Sequence, residues 1–409
     1  MGKDAEPEAL VVGIREEVQP VIFEEINVEL VQRIARGMRG SGGPTLIDSD
    51  VWKHILLSKA YGNASSQLCQ AIADMTKRLS IESINPACLK EFTACRLVPL
   101  DKNPGVRPVG IGEVLRRISG KLVVRTLKLD IQQSGGLIQT CTGLDSGLEA
   151  TIHSATEAFE NGEAILLVDA DNAFNNLNRK VTISNMQYQC PAFYQYLTNT
   201  YQESARLFIN NARGERVLSE EGCMQGDTCA MAMYALGTRK LIDKLADEID
   251  DTTIQTWYAD DSGAVGEMVK LRRWWDALNE NGPKYGYFPK ATKTVLVVKD
   301  DDKILMKAQE IFAGTGIKII TEGKRMLGSF IGREDGKQEY VQRKVKDWIE
   351  DIKELSEIAL EEPQIALSAY VKGLCHRWKF IQRTISGISL LFQPLEDAIR
   401  KDFFPSIVV

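Results

Sequence analysis

Histidine is scarce in this chain: His54, His153 and His376 are the only three in 409 residues. Eight cysteines are present (Cys69, Cys88, Cys95, Cys141, Cys190, Cys223, Cys229 and Cys375), yet none form a C-x-x-C pair or stand at zinc-ligand spacing from a histidine. That argues against the common structural zinc modules, and thiols scattered in this way suit a reducing interior. His153, with no partner at ligand spacing, reads as a packed or surface residue. Long apolar runs are missing too. No stretch approaches ~18 consecutive apolar residues and no secretory apolar segment opens the chain, so a soluble, intracellular protein without a membrane partner is expected. Finally, a net positive charge is lacking: 50 Lys and Arg face 56 Asp and Glu, for −6.

The charge is unevenly spread. Residues 1–30 hold eight acids (Asp4, Glu6, Glu8, Glu16, Glu17, Glu24, Glu25 and Glu29) against Lys3 and Arg15. This opening reads as a solvated face or an interaction arm, and residues 1–90 show no chemistry. Arg96 to Lys128, by contrast, holds eight bases against Asp101 and Glu113. Screening confines attraction to a Debye length of ~8 Å, so a local surplus matters more to a phosphate backbone than the global sign. The length allows a large core and more than one lobe.

Two stretches concentrate carboxylates in a patterned way. In Thr253-Ile-Gln-Thr-Trp-Tyr258-Ala-Asp260-Asp261-Ser-Gly263-Ala-Val265, the period-2 alternation before Tyr258 predicts a strand. Asp260-Asp261 breaks it, and Gly263 is expected to turn the chain back into Ala264-Val265. The second stretch is Ala164-Ile-Leu-Leu-Val-Asp169-Ala-Asp-Asn-Ala-Phe174, apolar on both faces up to Val168, as a central buried strand should be. Asp169 ends that strand. Adjacent carboxylates repel and offer hard oxygen ligands, which suits a divalent cation. A two-metal nucleotidyl-transfer site needs such groups from separate backbone elements, and Asp169, Asp260 and Asp261 meet that need.

With these residues in hand, the chain resembles the reverse transcriptases, in particular the retroelement type with a right-hand fold. Asp169 with Phe174 resembles the first palm motif, Gln225-Gly226-Asp227 the second and Tyr258-Ala-Asp-Asp261 the third. Lys293-Thr294 and Leu327-Gly328 follow as the fourth and fifth, so that five motifs stand in order across about residues 96–383. The resemblance implies an α+β right hand: an N-terminal extension (1–45), fingers (46–163), an antiparallel-sheet palm (164–335) sharing elements with the fingers, and a helical thumb (336–409). It implies RNA-directed DNA synthesis with two Mg²⁺ ions, or Mn²⁺ in their place, held by Asp169, Asp260 and Asp261. The implied partners are an RNA template, a DNA primer or nascent DNA, and dNTPs, together with further domains or proteins of the same element.

Site roles follow from the same resemblance. Arg96 to Pro108 reads as two strands around an Asn-Pro-Gly turn, and Lys102 and Arg107 match the cations that grip a triphosphate, a point charge beside a bidentate fork. Phe174 matches the aromatic beneath the sugar, while Gln225, Gly226 and Tyr258 line the nucleotide. Lys293 matches a lysine beside the leaving pyrophosphate; Lys290 stands where relatives carry Asn, and Thr228 where many carry Pro. Gly282 to Pro289 is expected to be a turn-rich loop. Leu327 and Gly328 resemble a primer-supporting hairpin.

Three further expectations rest on periodicity. The helix from Glu113 to Arg125 offers Arg116, Arg117 and Lys121 to template phosphates. A helix is expected from Phe174 to about Tyr201. Near the C-terminus, Leu367, Val371, Leu374, Trp378, Ile381 and Ile385 form one apolar stripe, with Lys372, His376, Lys379 and Arg383 opposite; Lys372, Lys379 and Arg383 are therefore expected to follow a duplex backbone. Nothing after residue 400 resembles an RNase H, endonuclease or integrase domain, which fits either the core of a longer element protein or a stand-alone enzyme. Two rival functions are an RNA-dependent RNA polymerase and a catalytically silent RNA-binding scaffold. The first usually carries Gly-Asp-Asp and a carboxylate where this chain has Ala259 and Phe174; the second is disfavoured by the presence of all three carboxylates.

Overall fold

The run Ala164–Val168 is apolar at every position because it becomes the middle strand of a sheet covered on both faces. The computed structural model describes residues 3–102, 105–162, 164–209, 217–250 and 252–408. Within them the fold is mixed α+β, with eleven strands: β1 Cys95–Asp101, β2 Val106–Gly112, β3 Ala164–Val168, β4 Ala205–Ile209, β5 Val217–Ser219, β6 Ile254–Tyr258, β7 Asp261–Gly266, β8 Val295–Val297, β9 Lys318–Ile320, β10 Gly323–Met326 and β11 Ser329–Gly332. The central sheet has the order β6-β7-β3-β8-β9, antiparallel except for the β8–β9 pair. Side chains alternate between its faces. Ile165, Val265, Val295 and Val297 pack with Ala155 and Phe159 of the helix Gly147–Glu160. Leu166, Val168, Trp257, Ala264 and Leu296 face the main core, which includes Leu271 and Trp274 of the helix Met268–Tyr285.

A second sheet, β2-β1-β4-β5, carries the predicted β1–β2 hairpin, paired out to Asp101↔Val106. Asn103 and Pro104 of its turn lie outside the described residues, as do residues 210–216 between β4 and β5; β4 and β5 themselves pair antiparallel, and β4 joins β1 in parallel. Residues beyond Glu334 build a separate core around Trp348, Trp378, Phe392 and Phe403. Among the described residues, no helix is long and apolar enough to cross a membrane.

Several local expectations are corrected. The β6–β7 turn is the two-residue Ala259-Asp260, with Tyr258 paired to Asp261. Gly263 lies inside β7, where a Cβ would stand 2.6 Å from the Leu166 carbonyl oxygen, so it serves close strand approach rather than a turn. The helix expected after Phe174 is three: Ala173–Asn176, Arg179–Gln189 and Pro191–Tyr201, the last restarted by a proline at its first position. Gly282 and Pro283 continue the helix Met268–Tyr285 instead of forming a loop. The C-terminal stripe is broken at Gly373 into the helix Pro363–Lys372, the 3₁₀ turn Leu374–His376 and the helix Lys379–Thr384. Trp378, Ile381 and Ile385 are buried, while Leu367 and Val371 are exposed.

The acidic opening is not a free arm, although its carboxylates stay exposed to solvent. Its carboxylates meet lysines of the body: Asp4–Lys180 at 2.8 Å, Glu8–Lys284 at 2.7 Å and Glu24–Lys77 at 2.8 Å. Its backbone is gripped as well. The buried Asn185 amide accepts from Val11 N–H at 2.7 Å and donates to the Ala9 carbonyl at 2.8 Å, while Ala9, Phe23 and Ile26 are fully buried. Asn185→Leu leaves two main-chain groups without partners, each costing about 1–3 kcal/mol where desolvated. The expected outcome is a lower Tm and faster proteolysis within residues 3–20; an unchanged digestion pattern would show the arm to be held by its ion pairs alone.

Candidate active site

β3 and β7 run side by side, with Val168 paired to Ser262, so Asp169 leaves its strand next to Asp261. The two-residue turn brings Asp260 to the same end of the sheet. The three carboxylates that the sequence singled out are thus gathered by strand pairing. Their charges are felt mutually. Burial, then Asp260 and Asp169, push the Asp261 carboxyl up to about 6, with Arg325 acting in the opposite sense. Burial raises Asp260 too, with a further push from Asp169; its own backbone N–H and Arg107 oppose this.

The donor set fits a divalent cation: all are hard oxygens, and a cation would relieve the mutual repulsion of the carboxylates. They do not form a closed cage in this arrangement, since no three His, Cys, Asp or Glu side chains among the described residues are grouped to hold a metal. Lys293 takes part of the charge, with its Nζ 3.4 Å from Asp169 Oδ1. Lys290, a departure from the resembled pattern, pairs with Asp171 at 3.0 Å. Residues 288–290 run beside 169–171: Lys290 N–H donates to the Asp169 carbonyl and Asp171 N–H to the Phe288 carbonyl, both at 2.8 Å.

Three other elements frame the carboxylates. Arg107, exposed on β2, is near enough to act on Asp260; Lys102 sits exposed at the hairpin tip, its N–H donating to the Gly105 carbonyl. Gln225 and Gly226 lie in a loop packed against β2. Gly226 has φ +102° and lies against the Gly110 carbonyl, while Met224 so fills the space at Gly110 that a Cβ there would be 2.1 Å from its sulfur. Cys223 N–H in the same loop donates to the Phe174 carbonyl at 2.8 Å. The Phe174 ring is half-buried and stacks on Tyr234, with centroids 4.6 Å apart and planes 21° off parallel. Tyr258 is half-buried at the end of β6.

The basic residues expected on nucleic acid divide differently. Arg116 is buried, paired with Asp227 at 2.7 Å and donating to the Thr93 carbonyl at 2.7 Å, so it cannot reach a phosphate. Arg117 donates to the Arg39 and Ser41 carbonyls and thereby anchors the glycine-rich link. Lys121 is half-buried. Lys372 and Lys379 are exposed, the latter 3.0 Å from His376 Nδ1, but Arg383 is engaged by Glu149 at 2.7 Å. Leu327 and Gly328 form the β10–β11 turn with φ +49° and +88°; Tyr340 Oη donates to the Gly328 carbonyl at 2.7 Å.

Several residues at the site carry no motif. Arg179, buried, donates to the carbonyls of Ser219, Glu221 and Gly222 and so fixes the entry to the Gln225 loop. Arg116 and Arg179 both lie against the Tyr201 ring, at 5.2 and 5.5 Å. Tyr287 Oη donates to the Asp260 carbonyl at 3.1 Å and meets Ser262 Oγ at 2.7 Å. Arg325 on β10 lines a recess with Asp261, Ser262 and Leu327. The spacing of Arg179, Tyr234 and Tyr287 in the chain gives no signal, because what unites them is tertiary.

Asp261 gives a signed pH prediction. Its carboxyl is raised in the fold from an ordinary value of 3.8 to about 6. The stability that protonated Asp261 contributes is therefore complete below pH ~4 and lost as pH rises through about 6. Asp261→Asn should raise stability at pH 8 and leave it nearly unchanged at pH 4. Although neighbouring groups crowd its carboxyl, Asp261 remains open to solvent, and screening holds the gain to about 1 kcal/mol or less. Equal Tm shifts at the two pH values would assign the change to packing.

No protein-family model matches the chain, and no curated protein matches it in sequence. It is similar to apo telomerase from Candida tropicalis truncated from the C-terminal domain, with a TM-score of 0.41, 12% identity, and coverage of 52% of this chain and 51% of that one. Telomerase from Candida tropicalis in complex with a TWJ fragment of telomeric RNA gives 0.41 and 12%, over 52% and 42%. The Candida albicans complex gives 0.39 and 9%, over 51% and 43%. The chain thus spans about half the length of these proteins or less.

Proposed function

We propose that the protein is an RNA-directed DNA polymerase of retroelement type, extending a DNA primer on an RNA template with dNTPs. One observation carries this reading: Asp169, Asp260 and Asp261 come to one end of the central sheet, with Arg107 near enough to act on Asp260. In this reading residues 46–163 are fingers, 164–335 palm and 336–409 thumb, preceded by an extension over 1–45.

Asp169, Asp260 and Asp261 would hold two Mg²⁺ ions, or Mn²⁺, whose positive charge when bound serves both the attacking 3′-hydroxyl and the departing pyrophosphate. The chain's own groups do the rest. Arg107 and Lys102, on a hairpin open to solvent, bind the triphosphate, the first as a fork and the second as a point charge. Lys293, already drawn to Asp169, stands ready to give a proton to the leaving group. Phe174, stiffened by Tyr234, lies under the sugar, and Gln225, Gly226 and Tyr258 line the nascent base pair. Leu327 and Gly328 support the primer. Lys372 and Lys379 remain for duplex phosphates, with Lys121 and Arg117 nearer the template; Arg116, buried against Asp227, takes no part.

Primer extension with purified protein on matched RNA and DNA templates, with dNTPs or NTPs, tests the reading. Asp260→Asn should cut extension at least ~10³-fold while primer–template binding holds, as expected where a metal contributes several kcal/mol to the transition state. Extension within tenfold of wild type would remove Asp260 from the site.

Phe174→Val opens room beneath the sugar. A 2′-hydroxyl against the ring is desolvated without a partner, a cost of roughly 1–3 kcal/mol. Single-nucleotide kinetics should therefore show the dNTP-to-NTP efficiency ratio falling ~10-fold or more. A ratio within twofold of wild type in a folded variant would sink the gate.

A further inference from the structure

Ala259 sits at the tip of the β6–β7 hairpin with φ +54°, a left-handed conformation that an alanine takes only under constraint. Its neighbour on the chain is Asp260. The constraint comes from 120 residues away. Gln139, fully buried, accepts from the Ala259 N–H through Oε1 at 2.9 Å and donates from Nε2 to the Ala259 carbonyl at 3.3 Å. One primary amide thus takes both main-chain groups of one residue. Nε2 is also 3.5 Å from Thr238 Oγ1 on the helix Ala230–Ala246, which braces it from behind. The grip extends along the turn. Gln139 bridges to Trp257, Thr140 Oγ1 donates to the Trp257 carbonyl at 3.0 Å, and Tyr287 takes the Asp260 carbonyl.

We propose that Gln139 is the positioning residue of the catalytic turn: it holds Ala259 left-handed, so that Asp260 and Asp261 stand opposite Asp169. This rests on the functional reading above. A glutamine is suited to the task because its amide is a donor and an acceptor at once, at a fixed spacing, and carries no charge to disturb three nearby carboxylates. Methionine has the same length and neither hydrogen-bonding group. The geometry also names its suppressor. Glycine adopts positive φ without steric cost, so Ala259→Gly should make the turn less dependent on Gln139.

The experiment compares wild type, Q139M, A259G and the double variant. In Q139M, kcat for primer extension should fall at least ~10-fold, while KM for dNTP and primer–template affinity stay within about threefold. Amide hydrogen exchange across residues 254–262, measured on protein alone, should rise ~10-fold or more. The double variant should recover at least about threefold of the lost kcat. Wild-type exchange and kcat in Q139M would overturn the proposal, and so would a double variant no better than the single. Should Q139M not fold, Gln139→Glu keeps the acceptor, loses the donor, and is read by the same exchange measurement. A wild type without templated extension would overturn the functional reading, while the exchange comparison would still decide whether Gln139 holds the turn.

Discussion

Three carboxylates at one end of a sheet repel one another, and the rest of the molecule is arranged to keep them there. No side chain rigid in itself could do so. What does it is β3, buried on both faces and bonded on both edges, which cannot move Asp169 without disturbing Ile165, Leu166 and Val168. β7 is bound to β3 from Ser262 to Gly266, so Asp261, next to the paired stretch and itself paired to Tyr258, is held in turn. The raised pKa values of Asp260 and Asp261 reflect their burial first and the remaining repulsion second. A site of this kind lowers the stability of the fold that carries it, a common trade between function and stability.

Around that rigid edge, irregular backbone is held by buried side chains rather than by more sheet. Arg179 binds the carbonyls at one end of the Gln225 loop, and Arg116 binds Asp227 at the other. A buried guanidinium is costly to desolvate, and the cost is offset only where several acceptors meet it in good geometry. Both arginines meet that condition and share the Tyr201 ring between them. Between the clamps, Cys223 and Met224 reach Phe174 and Gly110. One loop therefore ties the aromatic floor to the strand that carries Arg107.

The sequence made the carboxylates legible because strand periodicity and strand ends are local properties. Asp169 follows five apolar residues, and Asp260 follows an alternating run; both patterns point to where a side chain emerges. Gly263 misled, since a glycine within a strand and a glycine at a turn look alike in sequence, and only the neighbouring Leu166 carbonyl tells them apart. Arg116 misled for a related reason. It sits one residue from Arg117 on one helix, and nothing local says which of the two finds a buried Asp 111 positions later. The C-terminal stripe fitted a helical period across Gly373, where the backbone departs from the helix.

The net charge of −6 also takes on a physical meaning once the arm is placed. Asp4, Glu8 and Glu24 lie on Lys180, Lys284 and Lys77, so acids and bases cancel on the surface that the arm covers. Exposed pairs of this sort contribute little stability each, and the arm is held chiefly by Asn185, Lys240 and the burial of Ala9, Phe23 and Ile26. Their effect on the field is larger than their effect on stability. Pairing three of the arm's acids with lysines leaves short-range dipoles, which screening erases within a Debye length, whereas free acids repel a polyanion from further out. Lys102 and Arg107 on the hairpin, and Lys372 and Lys379 near the C-terminus, are exposed cations in a chain whose acidic opening has three of its eight acids paired in place. An acidic total is thus compatible with a phosphate-binding surface, because the distribution of charge, and not its sum, sets the potential that a nucleic acid meets.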